Sequence, residues 1–135
     1  MPQHITLNNL RKPENDTASE IDWMCESLGL RRGRDTEHVT MRLVRHMLEK
    51  TSGKAPMSSD EMAKDLGIEV QRVNYHLRNL IDTGFFYREK RRIFLRDDSV
   101  KDTIEELRKD TNRMFDRLAE VGSHIDEALG IEEKK

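Results

Sequence analysis

The sequence predicts a mainly α-helical fold with a small β-hairpin wing, a winged helix-turn-helix followed by a long C-terminal coiled-coil dimerisation helix. Three observations predict it. Two short helical segments, each closed by a glycine (Gly67 and Gly84), meet across a tight turn at Ile68. Two aromatic runs, Phe85-Phe86-Tyr87 and Ile93-Phe94-Leu95, flank a cationic tip. Beyond them, apolar residues recur at alternating spacings of four and three from Val100 to Ala128, the pattern of a heptad seam.

Taken in chain order, residues 1–16 are polar and turn-rich, with Pro2 and Pro13, and read as an N-terminal arm that is flexible unless docked. Residues 17–34 form the next unit. Ile21, Met24, Cys25 and Leu28 make a helical stripe closed by Gly29. Trp23 lies off that stripe, where it either packs on a second subunit or covers the flank. Arg31-Arg32-Gly33-Arg34 is a basic linker, either solvated or reaching phosphates or a minor groove. Residues 35–96 form the winged helix-turn-helix unit. Asp35 or Thr36 can cap a helix reaching about Lys50, with Val39, Leu43, Val44, Met47 and Leu48 on its buried face. A loop from Thr51 to Pro56, containing Gly53, leads into the helix-turn-helix.

Ser58 and Glu61 have the spacing of a capping box, in which hydroxyl and carboxylate each satisfy a backbone amide left over at a helix start. Met62, Ala63 and Leu66 give that helix one apolar face, and Gly67 can take the positive φ that ends it. Ala63 is small enough to let the next helix cross closely. The second helix spans about Glu69 to Thr83, with Val70, Val73, Leu77, Leu80 and Ile81 on its apolar stripe. Its other face carries Gln71, Arg72, Tyr75, Arg78 and Asn79, flanked by Asn74 and His76. Arg, Gln and Asn side chains can make paired hydrogen bonds to base edges. Any solvated helix is also polar outside, so this face gains meaning from its neighbours. His76 is either a DNA contact or a packed flank. The hairpin tip Arg88-Glu89-Lys90-Arg91-Arg92 carries +3 in five residues, which suits phosphate contacts.

Residues 97–135 form the C-terminal dimerisation helix. Asp97, Asp98 or Ser99 can cap it, and it runs from about Val100 to Leu129. The seam is Val100, Ile104, Leu107, Thr111, Met114, Leu118, Val121, Ile125 and Ala128. The dimer interface is expected at Ile104, Leu107, Met114, Leu118, Val121 and Ile125. The alternative is a helix folded back on its own domain. Gly122 weakens the helix by about 1 kcal/mol relative to alanine.

The run VNYHLRNLIDTGFFYREKRR, from Val73 to Arg92, resembles the recognition helix and wing of archaeal and bacterial winged-helix regulators of the ArsR type. Their V-S-x-H-L or V-S-Y-H-L core is followed by a leucine, a glycine and a strand. Val73, Tyr75, His76, Leu77, Leu80 and Gly84 match it; Asn74 stands where serine is usual, which leaves the base preference open. The resemblance covers about residues 35–100. It implies a winged-helix fold, a homodimer and a role in transcription. Many such proteins sense metals through cysteine pairs, and a chain with one cysteine does not inherit that activity.

Composition narrows the function classes. Charged residues (37%) outnumber hydrophobic ones (35%), a low apolar share that suits an elongated chain completing its core with a partner. No apolar run is long enough for a membrane span, no signal-peptide pattern opens the chain, and the lone Cys25 fits a reducing compartment, so a cytoplasmic location is expected. Net charge is −2 but unevenly spread: −3 over residues 1–30, +6 over 31–96 and −5 over 97–135. Any nucleic-acid contact is therefore local to the middle of the chain. No phosphate loop, nucleophile motif or His/Cys ligand spacing is present, so no catalytic residue, metal or cofactor is expected.

The sequence thus points to a non-enzymatic, homodimeric, sequence-specific DNA-binding transcriptional regulator. Gln71, Arg72, Asn74, Tyr75 and Arg78 are expected to read bases, and Arg88, Lys90, Arg91 and Arg92 to grip the backbone of double-stranded DNA. The alternative is a winged-helix protein-docking or RNA/ribosome-associated module, because Glu69 and Asp82 balance Arg72 and Arg78 on the second helix. The sequence names no effector.

Overall fold

The computed structural model describes residues 3–30, 38–50 and 56–132. The basic linker, the Asp35/Thr36 cap and the loop from Thr51 through Gly53 lie outside the described residues. The described elements are α1 (Thr17–Ser27), α2 (Val39–Lys50), β1 (Met57–Ser58), α3 (Ser59–Leu66), α4 (Val70–Asp82), β2 (Phe86–Glu89), β3 (Arg92–Leu95) and α5 (Val100–Leu129). The protein is mainly helical, with a small antiparallel sheet of order β1-β3-β2. No described helix is long and apolar enough to cross a membrane.

Local chemistry sets the element ends. The Ser58 hydroxyl accepts from the Glu61 amide at 3.1 Å and starts α3, while Gly67 ends it in the left-handed region at φ 65°. The reciprocal half of the capping box is diverted: the Glu61 carboxylate lies 3.2 Å from Arg92 on β3. Asp16 caps α1 through the Ser19 amide, and its carboxyl is held below the ordinary range by that bond. Ser99 caps α5 through the Asp102 amide at 2.9 Å.

The core lies where α1 to α4 meet the sheet. Val39, Leu43, Val44, Met47, Met62, Val73, Leu77, Leu80, Phe85 and Ile93 are all fully buried. The buried face of α2 is as expected; that of α4 differs in two places. Val70 is 37% exposed, whereas His76 is buried. The His76 Nδ1 sits 3.1 Å from the Thr40 hydroxyl on α2, so the imidazole packs inward instead of facing solvent. Arg42 reaches from α2 to donate to the Leu66 carbonyl at 2.9 Å, tying down the last turn of α3.

The N-terminal arm, expected to be flexible unless docked, is docked along its first part. The His4 amide donates to the Asp82 carbonyl at 3.0 Å, and the Asn8 amide to the Ser27 carbonyl at 2.8 Å. The arm passes so close to Gly29 (φ 61°) and Gly84 (φ 83°) that a Cβ on either would collide with Thr6 or the Gln3 amide. Trp23 is half-buried on α1, and Asp22 beside it takes two hydrogen bonds from Arg45, at 2.6 and 2.7 Å.

Cys25 is fully buried on α1, and that burial pushes its thiol up to about 12. The thiolate is the reactive form, so the native protein should not react with Ellman's reagent at pH 8. One thiol per chain should appear on unfolding in guanidinium. Rapid labelling of the native state would show that α1 is not held against α2 as described.

Helix α5 stands apart from the compact unit. Its first turns are anchored: Leu107 and Thr103 are buried, and Val100 and Ile104 pack on the core. Beyond Asp110 it projects outward. Phe115, Leu118, Val121, Ile125 and Leu129 are between 51% and 69% exposed.

Candidate nucleic-acid interface

Helix α4 and the β2–β3 hairpin share one side of the molecule. The outward face of α4 presents Gln71, Arg72, Tyr75 and Arg78, all exposed. Tyr75 is held upright by an edge-to-face contact with His76, ring centres 5.0 Å apart. Because His76 is itself bonded to α2, the orientation of this face is tied to the core.

The hairpin lies against the N-terminal half of α4. Its strands pair in register Phe86–Leu95, Tyr87–Phe94, Arg88–Ile93 and Glu89–Arg92, which leaves Lys90 and Arg91 as a two-residue turn. Both turn residues have positive φ, 50° and 69°. This is the combination a type I′ turn requires, normally met by Asn-Gly. A side chain in the left-handed region costs about 1 kcal/mol. The turn thus holds two long cations in a backbone conformation that glycine or asparagine adopts more easily. Local strain retained at a surface position points toward a role for the side chains that impose it.

Between hairpin and helices lies an open groove of about 550 Å³. Arg88, Lys90, Arg91 and Arg92 line it from the hairpin; Ser58, Ser59, Asp60, Val70 and Asn74 line it from β1 and the helices. The exposure of Val70 is explained by its place along this groove. The groove is pre-ordered by a small polar network. The Asn74 Oδ1 accepts from the Ser59 hydroxyl at 2.6 Å and from Arg88 at 3.2 Å.

Two of the expected contact residues also have partners within the chain. Asn74, expected to read bases, has its carbonyl oxygen engaged by Ser59 and Arg88, so only its amide NH₂ can face a ligand. Arg92, expected to grip phosphate, donates to the Pro56 carbonyl at 3.0 Å and pairs with Glu61. It fastens the hairpin to α3. Lys90, Arg91 and Arg88 are the other cations lining the groove, all of them exposed. No family model, no curated protein and no solved structure matches the chain. The function therefore has to be read from this geometry.

Chemically, the surface offers guanidinium, ammonium and amide donors around a concave wall. Donors of this kind make charge-assisted hydrogen bonds to phosphate or carboxylate oxygens. Among the described residues no three His, Cys, Asp or Glu side chains converge as a metal-binding group.

A second cluster went unseen in the sequence. Asp110 on α5 is almost fully buried and receives Arg96, Arg113 and the Gln3 amide, the last at 2.8 Å. Gln3 also donates to the Thr83 carbonyl at 2.8 Å. Arg96 follows β3 directly, so Asp110 locks the end of the hairpin, the N-terminal arm and the start of the rod together. The seam residues divide at this point. Ile104 and Leu107, expected in a dimer interface, pack on the chain's own core. Met114 is half-buried, and Leu118, Val121 and Ile125 stay exposed. Phe115 and Leu129, overlooked in the heptad reading, widen the exposed stripe.

Proposed function

We propose that the protein is a winged helix-turn-helix DNA-binding regulator that acts as a homodimer. In this reading α3 and α4 form the helix-turn-helix, α4 enters the major groove, and the β2–β3 hairpin is the wing. The observation that carries it is the Lys90-Arg91 turn, which retains two cations at a conformational cost beside an exposed Arg/Gln/Tyr helical face. The resemblance of Val73–Arg92 to ArsR-type regulators agrees with that assignment. Gln71, Arg72, Tyr75 and Arg78 would contact base edges, with the Asn74 amide beside them. Lys90, Arg91 and Arg88 would contact phosphates, and Arg92 would hold the wing in place. The exposed distal half of α5 supports a paired assembly, because an apolar stripe on a projecting helix is stabilised by covering it. A docking module for RNA or protein is the second reading, and the offsetting of Arg72 and Arg78 by Glu69 and Asp82 at the two ends of α4 favours it.

A direct titration separates them. Labelled random duplex should bind at low salt, with log K falling steeply as log salt rises, by about 0.9 per phosphate contact. Arg78→Ala should cost about 1–3 kcal/mol on a selected site and relax preference at one position. Salt-insensitive or absent duplex binding, with RNA or a protein co-purifying, would overturn the DNA reading.

A further inference from the structure

We propose that the distal halves of two α5 helices pair antiparallel, each rod ending in an apolar notch on the other subunit. The proposal rests on the homodimer reading above and specifies its geometry. Four features of the rod converge on it.

The first is charge. Residues 108–117 carry net +2, from Arg108, Lys109, Arg113 and Arg117 against Asp110 and Asp116. Residues 120–132 carry −4, from Glu120, Asp126, Glu127 and Glu132. A parallel pair sets −4 beside −4 along the exposed half. An antiparallel pair sets the basic stretch of each helix beside the acidic stretch of the other.

The second is the seam. Its spacings are mirror-symmetric about residues 119 and 120, so Leu118 faces the partner's Val121, and Met114 faces the partner's Ile125. The third is Gly122. It lies on the exposed stripe in mid-helix, and a Cβ added there meets nothing within 4 Å, so no contact among the described residues accounts for the glycine. In the antiparallel register the partner's Phe115 lies over it. Phe115 is 61% exposed in the single chain, and the missing Cβ makes room for its ring.

The fourth is the notch. Ile5, Leu7, Leu28, Ile104 and Leu107 line an apolar hollow of about 210 Å³ between the docked arm and the base of the rod. Leu7 remains 61% exposed there. The same register brings the partner's Leu129 and the partner's Ile131 to this hollow. Those residues are 69% and 56% exposed at the far end of the rod, past the Gly130 turn. Both exposed apolar ends are then covered by one symmetric pairing. At about 1.5 Å per residue, the two sites where α5 docks on its own core lie roughly 40 Å apart, close to one turn of DNA.

Disulfide trapping tests the orientation without DNA. Positions 114 and 125 lie off the core, and buried Cys25 stays out of the exchange. In the antiparallel register two copies of Ile125 are about 16 Å apart, beyond disulfide reach. Met114→Cys and Ile125→Cys alone should therefore give no cross-linked dimer under mild oxidation, while M114C/I125C should be trapped as a dimer. Cross-linking of I125C by itself would overturn the antiparallel pairing and leave the homodimer standing. No cross-link in the double variant, with sedimentation showing dimers, would place the interface elsewhere. Sedimentation as a monomer at micromolar concentration would remove both this pairing and the homodimer.

Discussion

Replacing the β2–β3 turn by Asn-Gly, Lys90→Asn with Arg91→Gly, should weaken duplex binding about a hundredfold while making the protein more stable. Each lost charge-assisted phosphate contact costs about 1.5 kcal/mol, or roughly tenfold. The slope of log K against log salt should fall by about two. In the folded protein the change acts the other way. Lys90 and Arg91 hold φ of 50° and 69°, where a Cβ crowds the backbone. Asparagine tolerates that region and glycine has no Cβ at all, so the variant should gain about 1–2 kcal/mol in chemical denaturation. A purely structural turn predicts higher stability and unchanged binding. A wing that touches phosphate predicts opposite signs for the two measurements. Unchanged affinity and salt slope would end the wing assignment. Arg92→Ala gives a useful contrast: its bonds to Pro56 and Glu61 mean that it should lower stability first and affect binding through a loosened hairpin.

What the sequence revealed, and what it hid, follows from how local each interaction is. The ends of α3 and the start of α5 were readable because Ser58, Gly67 and Ser99 act within a turn of the backbone they cap. The buried face of α2 was readable because five apolar side chains repeat at helical spacing. Strand β1 was not: two residues have no periodicity, and Met57 becomes a strand only by pairing with Ile93. The inward turn of His76 depended on Thr40, on another helix. The Lys90-Arg91 turn gave no signal because neither residue type favours positive φ. At the candidate site, the exposed face of α4 was legible from its polar pattern. The use of Asn74 and Arg92 within the protein was not, since their partners lie at distant positions in the chain.

The Asp110 junction is the extreme case, since its Gln3 bond joins residues 107 positions apart. It also yields the largest expected loss of stability. Asp110→Asn should destabilise the fold by about 2 kcal/mol at pH 7, because it weakens the charge-assisted hydrogen bonds that a nearly buried carboxylate takes from the half-buried Arg96 and from Gln3. The hydrogen bond from Arg96 holds the Asp110 carboxyl below the ordinary range, against the upward push of burial; Gln3 and Arg113 act in the same direction as Arg96. A folded value below the unfolded one, about 3.9, means a contribution fully present above that pH and lost as pH falls through the folded value. The wild type should therefore keep its stability from neutral pH to about pH 5 and lose it progressively below about pH 4. In the variant that acid limb should be shallower, though not flat. Asp65, held low by Lys50 and His46, and Asp16, held low by Ser19, still titrate there. The gap between the two proteins in urea denaturation should be widest at pH 7 and close toward pH 3. A gap that is constant with pH would mean that Asp110 acts through packing and not through its charge. A variant as stable as the wild type at pH 7 would mean that the rod, the arm and the end of the hairpin are joined by other contacts. Because Arg96 directly follows β3, the same variant also tests whether the rod and the candidate interface move as one body. If they do, loosening Asp110 should weaken duplex binding even though Asp110 is not among the residues that line the groove.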